Sequence, residues 1–352
     1  MAAKHSGQLP QAADDGFFTV ECAAVTDESA DVKTFEFVMT GEQRFAYAAG
    51  QHITVEAPAT CGVLHRCYTL SSAPTRAGRI AITVKAATGG PVSTWLHREI
   101  SPGARMRISA PSGAFVAPRA EEGAYLFVAG GVGITPLLSM TRALFDVRAH
   151  ADIVFVQCAR SREDLLFRDE LEAMAAGWPG LRVHLVVSRD AAAPLLAGRL
   201  ERDRLAQWVP DIAEREVYCC GPDTFMTTVE HAVAGLGVAP HRYHQESFVL
   251  PEANRFAGNP NESSGGQVTV KLAASNRSMT VSSSDLLIDI AQAAGVVIPN
   301  ACRAGMCGTC KTRLISGKVE MAHNGGITDD EVTEGLVLAC CARPLTDVSL
   351  DC

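Results

Sequence analysis

Hydrophobic and polar residues follow different patterns in successive parts of the chain. In the first part, short apolar stretches are separated by Gly, Pro and Asp, which is typical of an antiparallel barrel or sandwich. Strands are predicted at residues 17–25, 32–38, 52–57, 65–70, 80–84 and 105–110. A short helix is predicted at residues 93–100, because Ser93 can act as its N-cap and Trp95, Leu96 and Ile100 fall on one face.

After a polar break at residues 120–123, continuous apolar strands alternate with segments of helical periodicity. This alternation predicts an α/β doubly wound parallel sheet. Its strands are predicted at residues 125–129, 152–157, 181–187 and 216–220, and its helices at residues 136–149, 165–176 and 225–236.

A third pattern begins after a stretch rich in Pro, Gly, Asn and Ser, which predicts a linker. Beyond it, strands are predicted at residues 268–272, 279–281 and 336–340, and a helix at residues 286–294. We therefore expect an N-terminal tail (1–16), a barrel domain (17–118), an α/β domain (119–249), a linker (250–266) and a C-terminal domain (267–352).

Composition, net charge and cysteine content exclude several classes of protein. With 47% hydrophobic and 20% charged residues, the 352-residue chain is globular. The net charge of −8 argues against a nucleic-acid partner, and the lack of a long apolar run argues against a membrane. The start of the chain lacks the apolar core of a signal peptide, so we expect a cytoplasmic protein. Twelve cysteines are many for a reducing compartment unless some bind metal or carry out redox chemistry.

The spacing of the C-terminal cysteines indicates an iron–sulfur cluster. The order C-x4-C-x2-C and then a fourth cysteine 29 intervening residues later is formed by Cys302, Cys307, Cys310 and Cys340. This is the spacing of plant-type 2Fe-2S ferredoxins, and Gly305 and Gly308 let the backbone approach the cluster. Zinc is the alternative, but zinc ligands usually come as two separated pairs. Cys341 is an alternative fourth ligand, although alternation in a strand would turn it away from the face of Cys340.

Two further motifs suit organic cofactors. Residues 65–72 end a predicted strand, where Arg66 can pair with a phosphate, Tyr68 can stack on a flat ring and Thr69 can donate to a ring nitrogen. Cross-strand packing is the alternative for such side chains. Residues 90–94 place free amides and two hydroxyls at a helix N-terminus, which suits a second phosphate.

A glycine turn follows the first strand of the α/β domain. It has the form G-x-G-x-x-P from Gly131 to Pro136, with Pro136 expected at the first helical position. Glycines at such a turn can also serve packing alone, and the acidic residue of a plain dinucleotide fingerprint is absent from the next predicted strand.

In this order, the segments resemble the ferredoxin-NADP reductase superfamily. Residues 66–69 match its flavin motif R-x-Y-S/T, residues 90–93 its flavin diphosphate motif, residues 131–136 its nicotinamide turn, and residues 218–222 with Met226 its C-G-P motif. The resemblance extends from residue 17 to residue 352 and implies a β-grasp ferredoxin of the α+β class at the C-terminus. Within the superfamily, the chain is similar to reductase components of Rieske-type oxygenases that demethylate quaternary amines such as glycine betaine, and to hybrid-cluster protein reductase.

The resemblance implies a set of site residues. Catalytic roles fall to Thr69 near flavin N5, Cys220 near the nicotinamide, and Glu246. The implied flavin-binding residues are Arg66, Cys67, Tyr68, Thr69, Val84, Lys85, Gly90, Val92, Ser93, Thr94 and Phe248. The implied nicotinamide-binding residues are Gly131, Gly133, Thr135, Pro136, Arg160, Cys220, Gly221, Pro222 and Met226. Among the ten histidines, none stands out as a general base.

The expected function is therefore electron transfer from NADH through FAD and a 2Fe-2S cluster to a terminal oxygenase or other redox-acceptor protein. NADPH is the alternative nucleotide, since Arg160, Arg162 and Arg189 also suit a 2′-phosphate. FMN is the alternative flavin, since FMN-dependent members of the family share the same domain order. Alternative functions are the reduction of a hybrid-cluster protein or another oxygenase, and redox sensing without turnover. The acidic cluster Asp329, Asp330, Glu331 and Glu334 predicts either a docking face for a basic partner or a capped helix start.

Overall fold

The described chain divides into two compact units. The computed structural model describes residues 17–40, 46–59, 62–76, 78–117, 122–189, 198–248, 266–298, 303, 305, 308–323 and 326–352. The larger unit is built mainly from residues up to 249, and the smaller mainly from residues 250–352. The predicted tail lies outside the described residues, as does nearly all of the predicted linker.

The first sheet of the larger unit has six strands in the order β4-β3-β6-β1-β2-β5. They are β1 (Phe17–Ser29), β2 (Val32–Met39), β3 (His52–Ala59), β4 (Gly62–Thr69), β5 (Ile80–Lys85) and β6 (Arg105–Ser109). A bridge between Leu70 and Ile82, with a hydrogen bond from the Ser71 amide to the Ala81 carbonyl (2.8 Å), joins the end of β4 to β5. Because this bridge closes the sheet, the predicted antiparallel barrel is confirmed.

A short helix, α1 (Pro91–Glu99), follows β5. The prediction that Ser93 caps it is wrong, because the helix starts earlier with Gly90 as N-cap and Pro91 in its first turn. Proline tolerates this position since its missing N–H would have no helical partner there. The Ser93 hydroxyl instead donates to the Gly90 carbonyl and accepts from the Ala87 amide, at 3.1 Å each.

The second sheet of the larger unit has five strands, all parallel, in the order β11-β10-β7-β8-β9. The strands are β7 (Ala124–Gly130), β8 (Asp152–Ala159), β9 (Leu181–Val187), β10 (Glu216–Cys220) and β11 (Tyr243–Glu246). The helices are α2 (Ile134–Asp146), α3 (Arg168–Gly177), α4 (Arg202–Trp208) and α5 (Asp223–Ala234). Consecutive residues of β7 are fully buried, as in a sheet covered on both faces, so the doubly wound prediction is confirmed.

Two helix starts differ from the predictions. A turn of 3-10 helix at Gly131–Gly133 leads directly into α2, so Pro136 is the third helical residue rather than the first. It costs no hydrogen bond there, because the first four amides of a helix have no intrahelical acceptor. Helix α3 starts at Arg168 rather than at residue 165, because Phe167 has a left-handed backbone (φ 55°).

The smaller unit combines a mixed five-stranded sheet, ordered β13-β12-β18-β14-β16, with a two-stranded sheet of β15 and β17 and two helices, which agrees with the α+β prediction. Its elements are β12 (Gln267–Leu272), β13 (Arg277–Ser282), α6 (Leu287–Ala293), β14 (Lys311–Ser316), β15 (Val319–Met321), α7 (Asp329–Thr333), β16 (Leu336–Leu338), β17 (Ala342–Pro344) and β18 (Val348–Leu350). The buried residues of α6 belong to one hydrophobic core with Val270, Leu272 and Leu350. Across the described part of the chain, no helix is both long and apolar enough to span a membrane.

Candidate functional site

Three parallel strands end side by side at one edge of the second sheet. Strand β7 ends at Gly130, β10 at Cys220 and β11 at Glu246, and Cys220 pairs in register with both Ala129 and Glu246. The order of the strands reverses here, because β8 lies on one side of β7 and β10 on the other. In open α/β sheets, this is where ligands bind.

The glycine turn after β7 packs against the turn after β10 with no side chain between them. Gly131 has a left-handed backbone (φ 56°), and a Cβ on Gly133 would lie 2.3 Å from the Cys220 carbonyl oxygen and 2.6 Å from the Gly221 nitrogen. No residue but glycine fits such a contact. A side-chain-free turn at a helix N-terminus fits a nucleotide diphosphate, because backbone N–H groups can approach its oxygens.

A buried polar cluster joins the barrel to this edge of the sheet. The Thr69 hydroxyl, at the end of β4, donates to Glu246 Oε2 at 3.3 Å. The other carboxylate oxygen, Oε1, lies 3.8 Å from His52 Nδ1. All three side chains are buried. His52 is absent from the predicted site, and no local motif could reveal its contact with a residue so distant in sequence.

Cys220 is fully buried beside this cluster. Burial, with a further contribution from the Glu246 carboxylate, raises the pKa of the Cys220 thiol well above its usual value. The thiol is therefore neutral at physiological pH and adds no charge to the site.

The remaining predicted flavin-binding residues lie on β4, β5 and α1. Arg66 donates to the His65 carbonyl at 2.8 Å, Tyr68 is partly buried, and Val84, Val92 and Ser93 are buried. Lys85 forms a partly exposed ion pair with Asp31 (2.9 Å). An arginine and a helix N-terminus can bind the phosphates of a flavin, and an aromatic ring can stack on its ring system, so these residues fit the group.

The remaining predicted nicotinamide-binding residues line the same sheet. Thr135 and Met226 are buried, and Pro222 is the N-cap of α5. Arg160 is exposed, and its carbonyl accepts from the Arg189 amide (2.9 Å), so the two arginines stand together beyond β8 and β9. Phe248 is partly exposed, two residues beyond β11.

The smaller unit holds two of the four predicted cluster ligands within the described residues, while Cys302 and Cys307 lie outside them. Cys310 and Cys340 are buried, and the Ala339 amide donates to the Cys310 carbonyl (3.2 Å). Gly305 and Gly308 are left-handed (φ 66° and 71°), and a Cβ on Gly305 would lie 2.7 Å from Cys341 Sγ. Buried thiols beside a close glycine loop fit a 2Fe-2S cluster.

The alternation argument for Cys340 over Cys341 is wrong, because strand β16 ends at Leu338 and residues 339–341 form a turn of 3-10 helix. Both cysteines are buried in this turn. The choice of Cys340 therefore rests on the ferredoxin spacing.

The acidic cluster is the start of a capped helix. Thr328 and Glu331 form a reciprocal capping box, and Glu331 also pairs with Lys311 at 2.5 Å. Asp329, Asp330 and Glu334 are exposed.

Three domain families match the chain, in the same order as its three predicted domains. Residues 19–116 match the oxidoreductase FAD-binding domain, residues 127–231 the oxidoreductase NAD-binding domain, and residues 270–345 the 2Fe-2S iron-sulfur cluster binding domain.

Two curated proteins match along nearly their whole length. The stachydrine N-demethylase reductase subunit of Rhizobium meliloti is 39% identical over 94% of this chain and 96% of its own length. The glycine betaine monooxygenase reductase subunit of Pseudomonas aeruginosa is 38% identical over 96% of each. Among solved structures, phthalate dioxygenase reductase superposes with a TM-score of 0.61 at 27% identity, covering 96% of this chain and 99% of that one.

A flavin barrel, a nicotinamide-binding sheet and a 2Fe-2S domain in one chain define a modular electron-transfer oxidoreductase. The chain belongs to the ferredoxin-NADP reductase superfamily, in the group of reductase components that carry a C-terminal 2Fe-2S ferredoxin domain.

Proposed function

We propose that this chain is the reductase component of a two-component oxygenase system that demethylates a quaternary amine, and that it delivers electrons from NADH to the oxygenase. The end-to-end similarity to two reductase subunits supports this assignment. Stachydrine and glycine betaine, the compounds in their names, are both N-methylated ammonium betaines, and this shared chemistry suggests the substrate class of the system.

The observation that carries the electron-transfer part is the contact between Thr69 and Glu246. It brings the end of the predicted flavin motif to the edge where the glycine turn and Cys220 meet. A flavin there would accept two electrons together from a nicotinamide and release them singly to a one-electron cluster. The chain supplies orientation and a buried, dry setting, because Thr69, Cys220 and Glu246 are all shielded from solvent.

The residue assignments form part of the proposal. Arg66 to Thr69 and the N-terminus of α1 hold FAD, and the turns after β7 and β10 hold NADH. Cys302, Cys307, Cys310 and Cys340 hold the cluster. The proposed domains, 17–118, 119–249 and 267–352, are supported by the ranges that the family models match. We also infer a cytoplasmic location, because the thiols that would bind the cluster stay reduced in that compartment, and cell fractionation tests this inference.

The first experiment tests electron entry. Under anaerobic conditions, NADH should bleach the flavin and cluster absorbance of the purified holoprotein faster than NADPH does. If NADH leaves the flavin oxidised, the enzyme assignment fails. Faster bleaching by NADPH would instead reverse the nucleotide assignment and point to Arg160 and Arg189.

The second experiment tests the partner. Purified Rieske-type oxygenases are mixed in turn with the holoprotein, NADH, oxygen and a betaine, and formaldehyde release is measured. We expect release only with an oxygenase that acts on an N-methylated betaine. Bleaching by NADH without formaldehyde from any such oxygenase, but with reduction of a different acceptor, would overturn the partner assignment while leaving electron transfer intact.

A further inference from the structure

A buried histidine outside the predicted site faces Glu246. His52, the first residue of β3, is 2% exposed, and its Nδ1 lies 3.8 Å from Glu246 Oε1. Glu246 is 7% exposed, and its Oε2 accepts from the Thr69 hydroxyl. The two carboxylate oxygens therefore have different neighbours, one on β3 and one on β4.

The two neighbours bear on the orientation of the Glu246 carboxylate. The terminal torsion of a glutamate side chain has only a broad preference, so a single hydrogen bond leaves the carboxylate plane poorly fixed. A buried carboxylate is also costly unless its oxygens find polar partners. At 3.8 Å, His52 Nδ1 is beyond hydrogen-bonding distance of Oε1, so it restricts the carboxylate by close polar contact, while the hydrogen bond from Thr69 holds Oε2.

We propose that His52 is a positioning residue for Glu246. By facing Oε1, it fixes the carboxylate plane so that Oε2 remains directed at the Thr69 hydroxyl, and the orientation of that hydroxyl is fixed in turn. The inference rests on the proposed placement of the flavin beside Thr69. His52 thus acts on hydride transfer through two intermediary side chains.

The chain offers a matched control on the same strands as the site. His244 on β11 lies 2.9 Å from Glu216 on β10, but both side chains are more than one-third exposed. This pair resembles the His52–Glu246 pair in chemistry, and its carboxylate lies at the start of β10, four residues before Cys220. Its substitution should leave the site unaffected.

The experiment compares the holoprotein with His52→Asn, His52→Gln, His52→Leu, Glu246→Ala, the double variant His52→Leu/Glu246→Ala and the control His244→Leu. Asparagine places an amide nitrogen near the position of Nδ1, whereas glutamine places it near Nε2. Anaerobic stopped-flow reduction by NADH gives a maximal rate and a half-saturating concentration for each variant. The flavin absorbance spectrum gives a readout independent of turnover.

We expect His52→Leu to lower the maximal rate by about 10- to 100-fold, because small misplacements of reacting groups cost this much, with little change in half-saturation. His52→Asn should restore most of the rate and the native flavin spectrum, and His52→Gln should not. In the Glu246→Ala background, His52→Leu should lower the rate by less than about threefold, because the two substitutions remove one shared interaction. His244→Leu should match the unsubstituted protein.

Additive losses in the double variant would overturn the inference, as would equal rates for the asparagine and glutamine variants. If His52→Leu does not fold, the comparison of asparagine with glutamine still decides the question. The variant Thr69→Ala tests the proposed flavin placement on its own, so failure of that placement can be told apart from failure of the inference about His52. An unchanged flavin spectrum in that variant would contradict the flavin placement, and non-additive thermal unfolding of the His52 and Glu246 variants would then still decide whether the pair is coupled.

Discussion

The two thiols at the end of β10 show how strongly burial changes the pKa of a single residue in this molecule. Cys219 and Cys220 are fully buried. Burial raises the pKa of Cys219 from an ordinary value of 9.0 to about 12, and that of Cys220 is raised as well. At pH 9, only about 10⁻³ of Cys219 is therefore thiolate, compared with half of an ordinary thiol.

We predict that neither thiol reacts with iodoacetamide in the native protein at pH 9, because the thiolate is the reactive form and both sulfurs are shielded. After unfolding in guanidinium, both should react at the rate of glutathione in the same tube, as measured by mass spectrometry of the β10 peptide. Modification of either cysteine in the native protein at the glutathione rate would contradict the prediction.

The same burial gives a pH dependence of stability. The folded state keeps protons that the unfolded chain releases above about pH 9, so the contribution of Cys219 is complete below that pH and is lost as pH rises toward 12.

At the scale of elements, one buried arginine ties three parallel strands together at their amino ends. Arg215 is 1% exposed and donates to the carbonyls of Tyr125 and Asp152, at 3.1 Å each. It also pairs with the carboxylates of Asp152 (2.9 Å) and Asp211 (2.7 Å). The starts of β7, β8 and β10 thus share one cation, at the opposite end of the sheet from the site.

We predict that Arg215→Met lowers the free energy of unfolding by about 2–4 kcal/mol, because two buried carbonyls lose their donor and two carboxylates lose their counter-ion. Arg182→Met is the matched control. Arg182 also pairs with Asp152 (2.7 Å), but both side chains are about half exposed, so its loss should cost less than about 1 kcal/mol. Equal losses in thermal unfolding of the two variants would show that burial is not the deciding factor.

At the scale of the whole molecule, the sequence predicted the barrel and the doubly wound sheet because their hydrophobic periodicities differ. The sequence also predicts the position of the glycine turn, since Gly130, Gly131 and Gly133 lie between an apolar strand and a helical segment. Short elements such as α4 and β11 were missed because a few residues hold too little periodicity. His52 was missed because its contact with Glu246 depends on how the barrel closes against the sheet.

Helix α2 contributes a second link between the two domains of the larger unit, besides the buried cluster of Thr69, His52 and Glu246. Helix α2 begins at the glycine turn, and its Arg142 donates to the Ser71 carbonyl at 2.6 Å, two residues after Thr69. Glu170 on α3 holds the same guanidinium with two hydrogen bonds, of 2.8 and 2.5 Å. One element therefore links the proposed nicotinamide turn to the end of the strand that carries the flavin motif.

We predict that Arg142→Ala slows anaerobic flavin reduction by NADH by up to about 10²-fold without loss of bound flavin, because the two reacting groups would no longer be held in one alignment. Arg142→Lys should not restore the rate, since an ammonium group cannot bridge a carbonyl and a carboxylate as the planar guanidinium does. Arg76→Ala is the control, because Arg76 pairs with Asp146 on the same helix but its side chain is 46% exposed. If the Arg76 and Arg142 variants lose rate equally, or if the flavin is lost together with the rate, α2 does not set the alignment of the two domains.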